Sequence, residues 1–126
     1  MELQNGLYNR NVYWPRELES KCNAMVCLRH RIIPTKHYRS KCELLHIDYG
    51  AYKMAMCGEI IECEWQDGIV KLITRIRDRM YPQWDVCFAI HIKGWLEDEV
   101  VIKTVWKNRH KDSHSTLDKS KYVKEN

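Results

Sequence analysis

From Glu59 onward, apolar and polar residues alternate with a period of two, the mark of half-buried β-strands. Ile61, Cys63 and Trp65 alternate with Glu62 and Glu64, Gln66-Asp67-Gly68 supplies a turn, and Ile69 to Arg75 returns as the second half of a hairpin. Lys71, Ile73, Arg75 and Arg77 share one parity, so basic side chains project from one face of that return strand. Asp78 to Pro82 reads as a loop. Asp85 to Ile92 reads as a third strand, with Val86, Phe88, Ile90 and Ile92 facing the core and Cys87, Ala89 and His91 opposite. Lys93 to Glu99 turns through Gly94, and Val100 to Trp106, dense in β-branched and aromatic residues, forms a fourth strand.

The first half has a different period. Residues 1–13 read as a loosely ordered lead-in. Pro15 suits the first turn of a helix running to about Arg31, in which Leu18, Cys22, Met25 and Val26 recur at helical spacing and which Pro34 terminates. Tyr38, Cys42, Leu45 and Tyr49 line one face of a second helix between Thr35 and Gly50. The expected architecture is a single α+β domain, with one or two N-terminal helices packed on a four-stranded antiparallel sheet. Residues 15–50 form the helical part, 59–108 the sheet and 109–126 a polar tail.

Composition changes this picture little. A chain of 126 residues suits one modest core. Its apolar runs fall short of the roughly 18 residues needed to cross a membrane. The polar stretch from Met1 to Arg10 has no signal-peptide core, so the expected location is cytoplasmic, away from membranes. The six cysteines lack any C-x-x-C pair, which disfavours zinc and leaves them as reduced, apolar-like thiols. No Gly-rich phosphate loop, H-E-x-x-H or dinucleotide fingerprint occurs, and no cofactor is expected.

Charge is more informative. The net value is +4, but residues 1–70 are balanced at nine basic and nine acidic. Lys71 to Tyr81 carries four basic against one acidic, and Val100 to Asn126 seven against three. Those segments suit a polyanion partner, and equally a plain solvated basic face.

The tail after the fourth strand concentrates groups that bind anions or move protons. Metal-free RNA cleavage needs a base for the 2′-OH, an acid for the leaving 5′-oxygen, and cations around the phosphorane. His114, Arg75, Lys103 and Thr104 are the catalytic candidates on that template. Lys71, Trp106, Asn108, Thr116 and Tyr122 are candidate substrate contacts. Strict alternation sets Lys103 and Lys107 on one face and Thr104, Trp106 and Asn108 on the other. Each candidate also has a plain structural reading: His114 as a turn cap, Thr116 as a helix N-cap, Trp106 as sheet cover. His37 and His46 read as structural, and His91 and His110 as surface residues.

The run Lys71-Leu72-Ile73-Thr74-Arg75, then Trp84-Asp85-Val86, then Lys103-Thr104-Val105-Trp106-x-Asn108, then Asp112-x-His114-x-Thr116-Leu117-Asp118-x-Ser120-x-Tyr122, resembles a group of small phage- and mobile-element-encoded proteins. The group's pattern is similar to the barnase/EndoU/colicin/RelE superfamily of small RNase toxins. The resemblance implies a metal-independent endoribonuclease, with single-stranded RNA as substrate and a neutralising protein as a further partner. Members often carry a histidine early in the first helix, after a Tyr-Trp pair. Here Tyr13-Trp14 is followed by Pro15-Arg16-Glu17-Leu18. The alternative is therefore a non-catalytic accessory protein that binds nucleic acid or a host protein through the same basic face.

Overall fold

The computed structural model describes residues 4–10, 12–16, 19–20, 31–93 and 99–110. Its framework is a meander of four long antiparallel strands, β3 (Glu59–Gln66), β4 (Ile69–Arg77), β5 (Trp84–Lys93) and β6 (Glu99–Arg109). Two short strands extend it, β1 (Gly6–Asn9) beside β3 and β2 (Arg31–Pro34) beside β6. The order is β1-β3-β4-β5-β6-β2, and β2 runs parallel to β6, so the α+β domain carries a mixed six-stranded sheet.

This corrects the expected sheet of four antiparallel strands. The lead-in supplies β1, antiparallel to β3. Arg31–Pro34, expected at the end of a helix, is instead an edge strand. Ile32 and Ile33 favour a pleated surface, and Pro34, which cannot donate a ladder bond, is tolerated at an edge. Of the expected first helix, Arg16, Glu19 and Ser20 are helical, with Glu19 N donating to Pro15 O at 3.1 Å. Its remainder lies outside the described residues.

The β3–β4 turn has Asp67 at φ 50° and Gly68 at φ 79°, the two left-handed positions of a twist-compatible hairpin. Asn5 clamps it: its Nδ2 donates to Asp67 Oδ1 and its Oδ1 accepts from Asp67 N, both at 3.1 Å. Two bulges break the ladder, one in β3 between Ile60 and Glu62 and one where β5 Ala89/Ile90 faces β6. In β6 the extra residue is Lys103.

Helix α1 (Lys36–Leu45) and a 3₁₀ helix (Tyr49–Cys57) supply residues to the core on one sheet face. Tyr38, Cys42, Ala55 and Met56 meet Cys63, Val70, Leu72, Phe88, Ile90, Ile92, Val100, Ile102 and Val105, all buried. The apolar parity expected for β5 is the one observed. Leu45 is only partly buried and Tyr49 exposed, because His46 at φ 55° ends α1 one turn early. Tyr38 donates from its hydroxyl to Tyr49 O at 2.8 Å, and Thr74 from its own to Ala55 O at 2.7 Å, so both buried polar groups are satisfied. Gly58 lets the 3₁₀ helix enter β3 closely: a Cβ there would lie 2.9 Å from Arg75 O. No helix among the described residues is long and apolar enough to cross a membrane.

Candidate functional site

The opposite sheet face carries the polar parity, and the register stacks it in rows. Glu64, Lys71, His91 and Val101 stand side by side; next come Glu62, Ile73, Ala89 and Thr104. Then follow Glu59, Arg75, Cys87 and Trp106, and last Arg77, Asp85 and Asn108. Of the residues nominated from sequence, Lys71, Arg75, Thr104, Trp106 and Asn108 therefore share one face. Lys103 joins them through the bulge, which relieves it of strict alternation, and its ammonium acts on His91. Its expected placement with Lys107 is corrected: Lys107 pairs with Val86, on the core-side parity. His114, Thr116 and Tyr122 lie outside the described residues.

The upper rows open into a cavity of about 440 Å³, a size that suits small ligands or a few nucleotide groups. Lys71, His91, Thr104 and Trp106 line it from the sheet. His37 and Lys41 line it from α1, one helical turn apart and so on one face of that helix. Thr35 fixes where α1 begins. Its Oγ1 accepts from Tyr38 N at 3.1 Å as an N-cap and donates to Lys103 O at 3.0 Å, while Thr35 N donates to Ile102 O at 3.1 Å. The helix start is thus pinned to the bulge, carrying His37 and Lys41 to the rim.

Electrostatics in the cavity favour a neutral imidazole. Burial first, then the nearby Lys103 and Lys71, hold His91 below the ordinary histidine range. Lys71 has a long contact of 3.9 Å with Glu64 Oε2. Such a pair is half-exposed and weak, so Lys71 can exchange that carboxylate for a phosphate.

The lower rows hold a different cluster. Asp85, with only 2% of its side chain exposed, faces His110 Nδ1 at 3.0 and 3.2 Å and Arg75 Nε at 3.7 Å. Arg75 NH2 donates to Glu59 Oε2 at 2.9 Å, and Arg77 NH2 donates to His110 Nε2. A guanidinium can only donate, which assigns the ring proton to Nδ1, facing Asp85. Cys87, buried between them, has its thiol pushed up to about 12, by burial above all. Asn108 Nδ2, opposite Asp85, is buried without a hydrogen-bond partner. No group of three metal-ligating side chains occurs among the described residues.

Of the residues nominated from sequence, Lys71, Thr104 and Trp106 line this cavity, together with His37, Lys41 and His91, which were not nominated. The missing signal was the β4–β5 register, which sets His91 directly beside Lys71. No protein-family model, curated protein or solved structure matches this chain.

Proposed function

We propose that the chain binds single-stranded RNA in the His91 cavity and cleaves it without a metal ion. The observation carrying this reading is a pair of imidazoles, His91 and His37, in one cavity with Lys71, Lys41, Thr104 and Trp106. His91, biased to its neutral form, takes the proton from a ribose 2′-OH. The 2′-oxygen attacks phosphorus, the P–O5′ bond breaks, and His37 returns a proton to the departing 5′-oxygen. The products are a 2′,3′-cyclic phosphate and a free 5′-hydroxyl. Lys71 and Lys103 stabilise the charge growing on the non-bridging oxygens, Thr104 donates a hydrogen bond to one of them, and Trp106 offers a face for a base. The likeness to small RNase toxins drawn from the sequence points the same way.

The test is incubation of the purified protein with a single-stranded RNA oligonucleotide in EDTA. Cyclic-phosphate ends are expected, with an all-2′-deoxy analogue bound but uncut. His91→Ala is expected to slow cleavage by about 10²–10⁴-fold, the usual worth of a general base. His114→Ala, assayed beside it, reports whether the tail histidine shares the proton transfer. RNA left intact by folded, RNA-bound protein would replace the ribonuclease reading with the binding one.

A further inference from the structure

A second cavity, of about 410 Å³, lies on the other side of the sheet, between the 3₁₀ helix and the β4–β5 loop. Its floor is apolar, built from Ile76, Val86 and Phe88. Its lip carries Met54, Met80 and Tyr81, exposed at 47%, 79% and 52%. Six large hydrophobic residues are exposed among the described residues, and half of them gather at this one concavity. Scattered exposed apolar residues need no explanation, whereas a concave cluster marks a contact surface. Methionine side chains adapt to irregular partners, and Met, Tyr and Arg are the residue types enriched where proteins meet.

Charge selects the occupant. Arg77, Arg79 and Lys107 also line the groove, and the Lys107 ammonium stands 5.8 Å from the centre of the Tyr81 ring. The two acids present are turned to their own backbone. Asp78 Oδ1 accepts from Met80 N at 2.9 Å and Tyr81 N at 3.2 Å, and Asp48 Oδ1 accepts from Gly50 N at 3.1 Å. Those bonds fix the loop, and Arg79 and Lys107 carry the charge offered to a partner, Arg77 being held by His110. Two copies meeting here across a twofold axis would set three cations against three, which disfavours self-association. A nucleic acid would use the cations but not the aliphatic floor.

We propose that this groove docks an acidic peptide segment of a partner protein. A large apolar side chain of the segment enters between Met54, Met80 and Tyr81, and its carboxylates lie on Arg79 and Lys107. The site is on the face opposite the RNA cavity and does not depend on that assignment.

The probe is a short synthetic peptide of Glu and Asp around a central Leu-Trp pair, titrated into the full chain labelled at the methionine methyl groups. The Met54 and Met80 signals are expected to shift while buried Met56 stays in place. Met80→Asp and Arg79→Glu, both at exposed positions and so expected to leave the melting temperature unchanged, are each expected to weaken binding by about tenfold or more. A peptide with Lys for every acid, and one with Gly-Ser for Leu-Trp, should not bind. The proposal is overturned by unmoved Met54 and Met80 signals, by equal binding of the lysine peptide, or by variants that bind as well as the parent. It is likewise overturned if those signals respond to protein concentration alone, indicating a second copy, or to an RNA oligonucleotide instead of the peptide.

Discussion

Two histidines on one sheet face, His91 and His110, have opposite surroundings. His110 is held at both ring nitrogens, by the Asp85 carboxylate and the Arg77 guanidinium, and Asp85 also faces Arg75. Positive and negative groups there are matched within the protein. Around His91 the charges that move its titration are both cations, and the space beside it is a cavity. The first arrangement spends its polar groups on the fold and the second leaves them for a ligand. A carboxylate behind an imidazole is often read as catalytic. Here that pairing braces the fold, and on the proposed reading the imidazole facing the cavity does the chemistry.

Asp85→Ala is expected to destabilise the fold by about 1–3 kcal/mol, because it removes the acceptor for His110 Nδ1 and one of the two carboxylates facing Arg75. Urea unfolding measures this. Unchanged stability together with lost RNA cleavage would exchange the roles of the two clusters.

Lys71→Ala and Lys103→Ala should each weaken RNA binding and reduce the salt slope by about 0.7, the value for one phosphate contact on a single strand. Arg77→Ala should leave that slope unaltered. Salt titrations by fluorescence anisotropy distinguish these outcomes, and equal slopes for all three variants would contradict the division.

The smallest effect is in pH. Because His91 is lowered in the folded chain, the unfolded chain takes up a proton first as pH falls through about 6.5. Stability contributed by neutral His91 is complete above that value and declines below it. The slope stays under the ceiling of about 1.4 kcal/mol per pH unit for one proton. His91→Asn should flatten this part of the stability profile measured between pH 7 and pH 5, and an unchanged profile would count against the desolvated imidazole.

The long strands were legible because alternation over eight or more residues defines both period and inward face, as Val86, Phe88, Ile90 and Ile92 did. The edge strands Gly6–Asn9 and Arg31–Pro34 were not, since four residues are too few to show a period and their conformation comes from the neighbour they pair with. Parity also set Lys71 with Arg75 along β4, and Thr104 with Trp106 along β6. Cross-strand relations were hidden. The Lys71–His91 pairing depends on hairpin register, and the side on which Lys103 acts depends on one inserted residue. His37 and Lys41 reach the cavity only because Thr35 ties α1 to β6, a tertiary bond that no local pattern announces.

The parallel pairing of Arg31–Pro34 with Glu99–Ile102 also sets the order of assembly. The meander can zip from neighbour to neighbour as each hairpin leaves the ribosome. The β2 edge must wait for a strand 68 residues further on, and closing so long a loop is an entropic cost met late in folding. Helix α1 follows β2 by a single residue and is tied at Thr35 to β6, so it docks after its partner strand exists. Pulsed hydrogen exchange during refolding should therefore protect amides in β3 to β5 before those of α1. The nascent chain would then own a sheet, and half its cavity wall, before the helical wall closed on it.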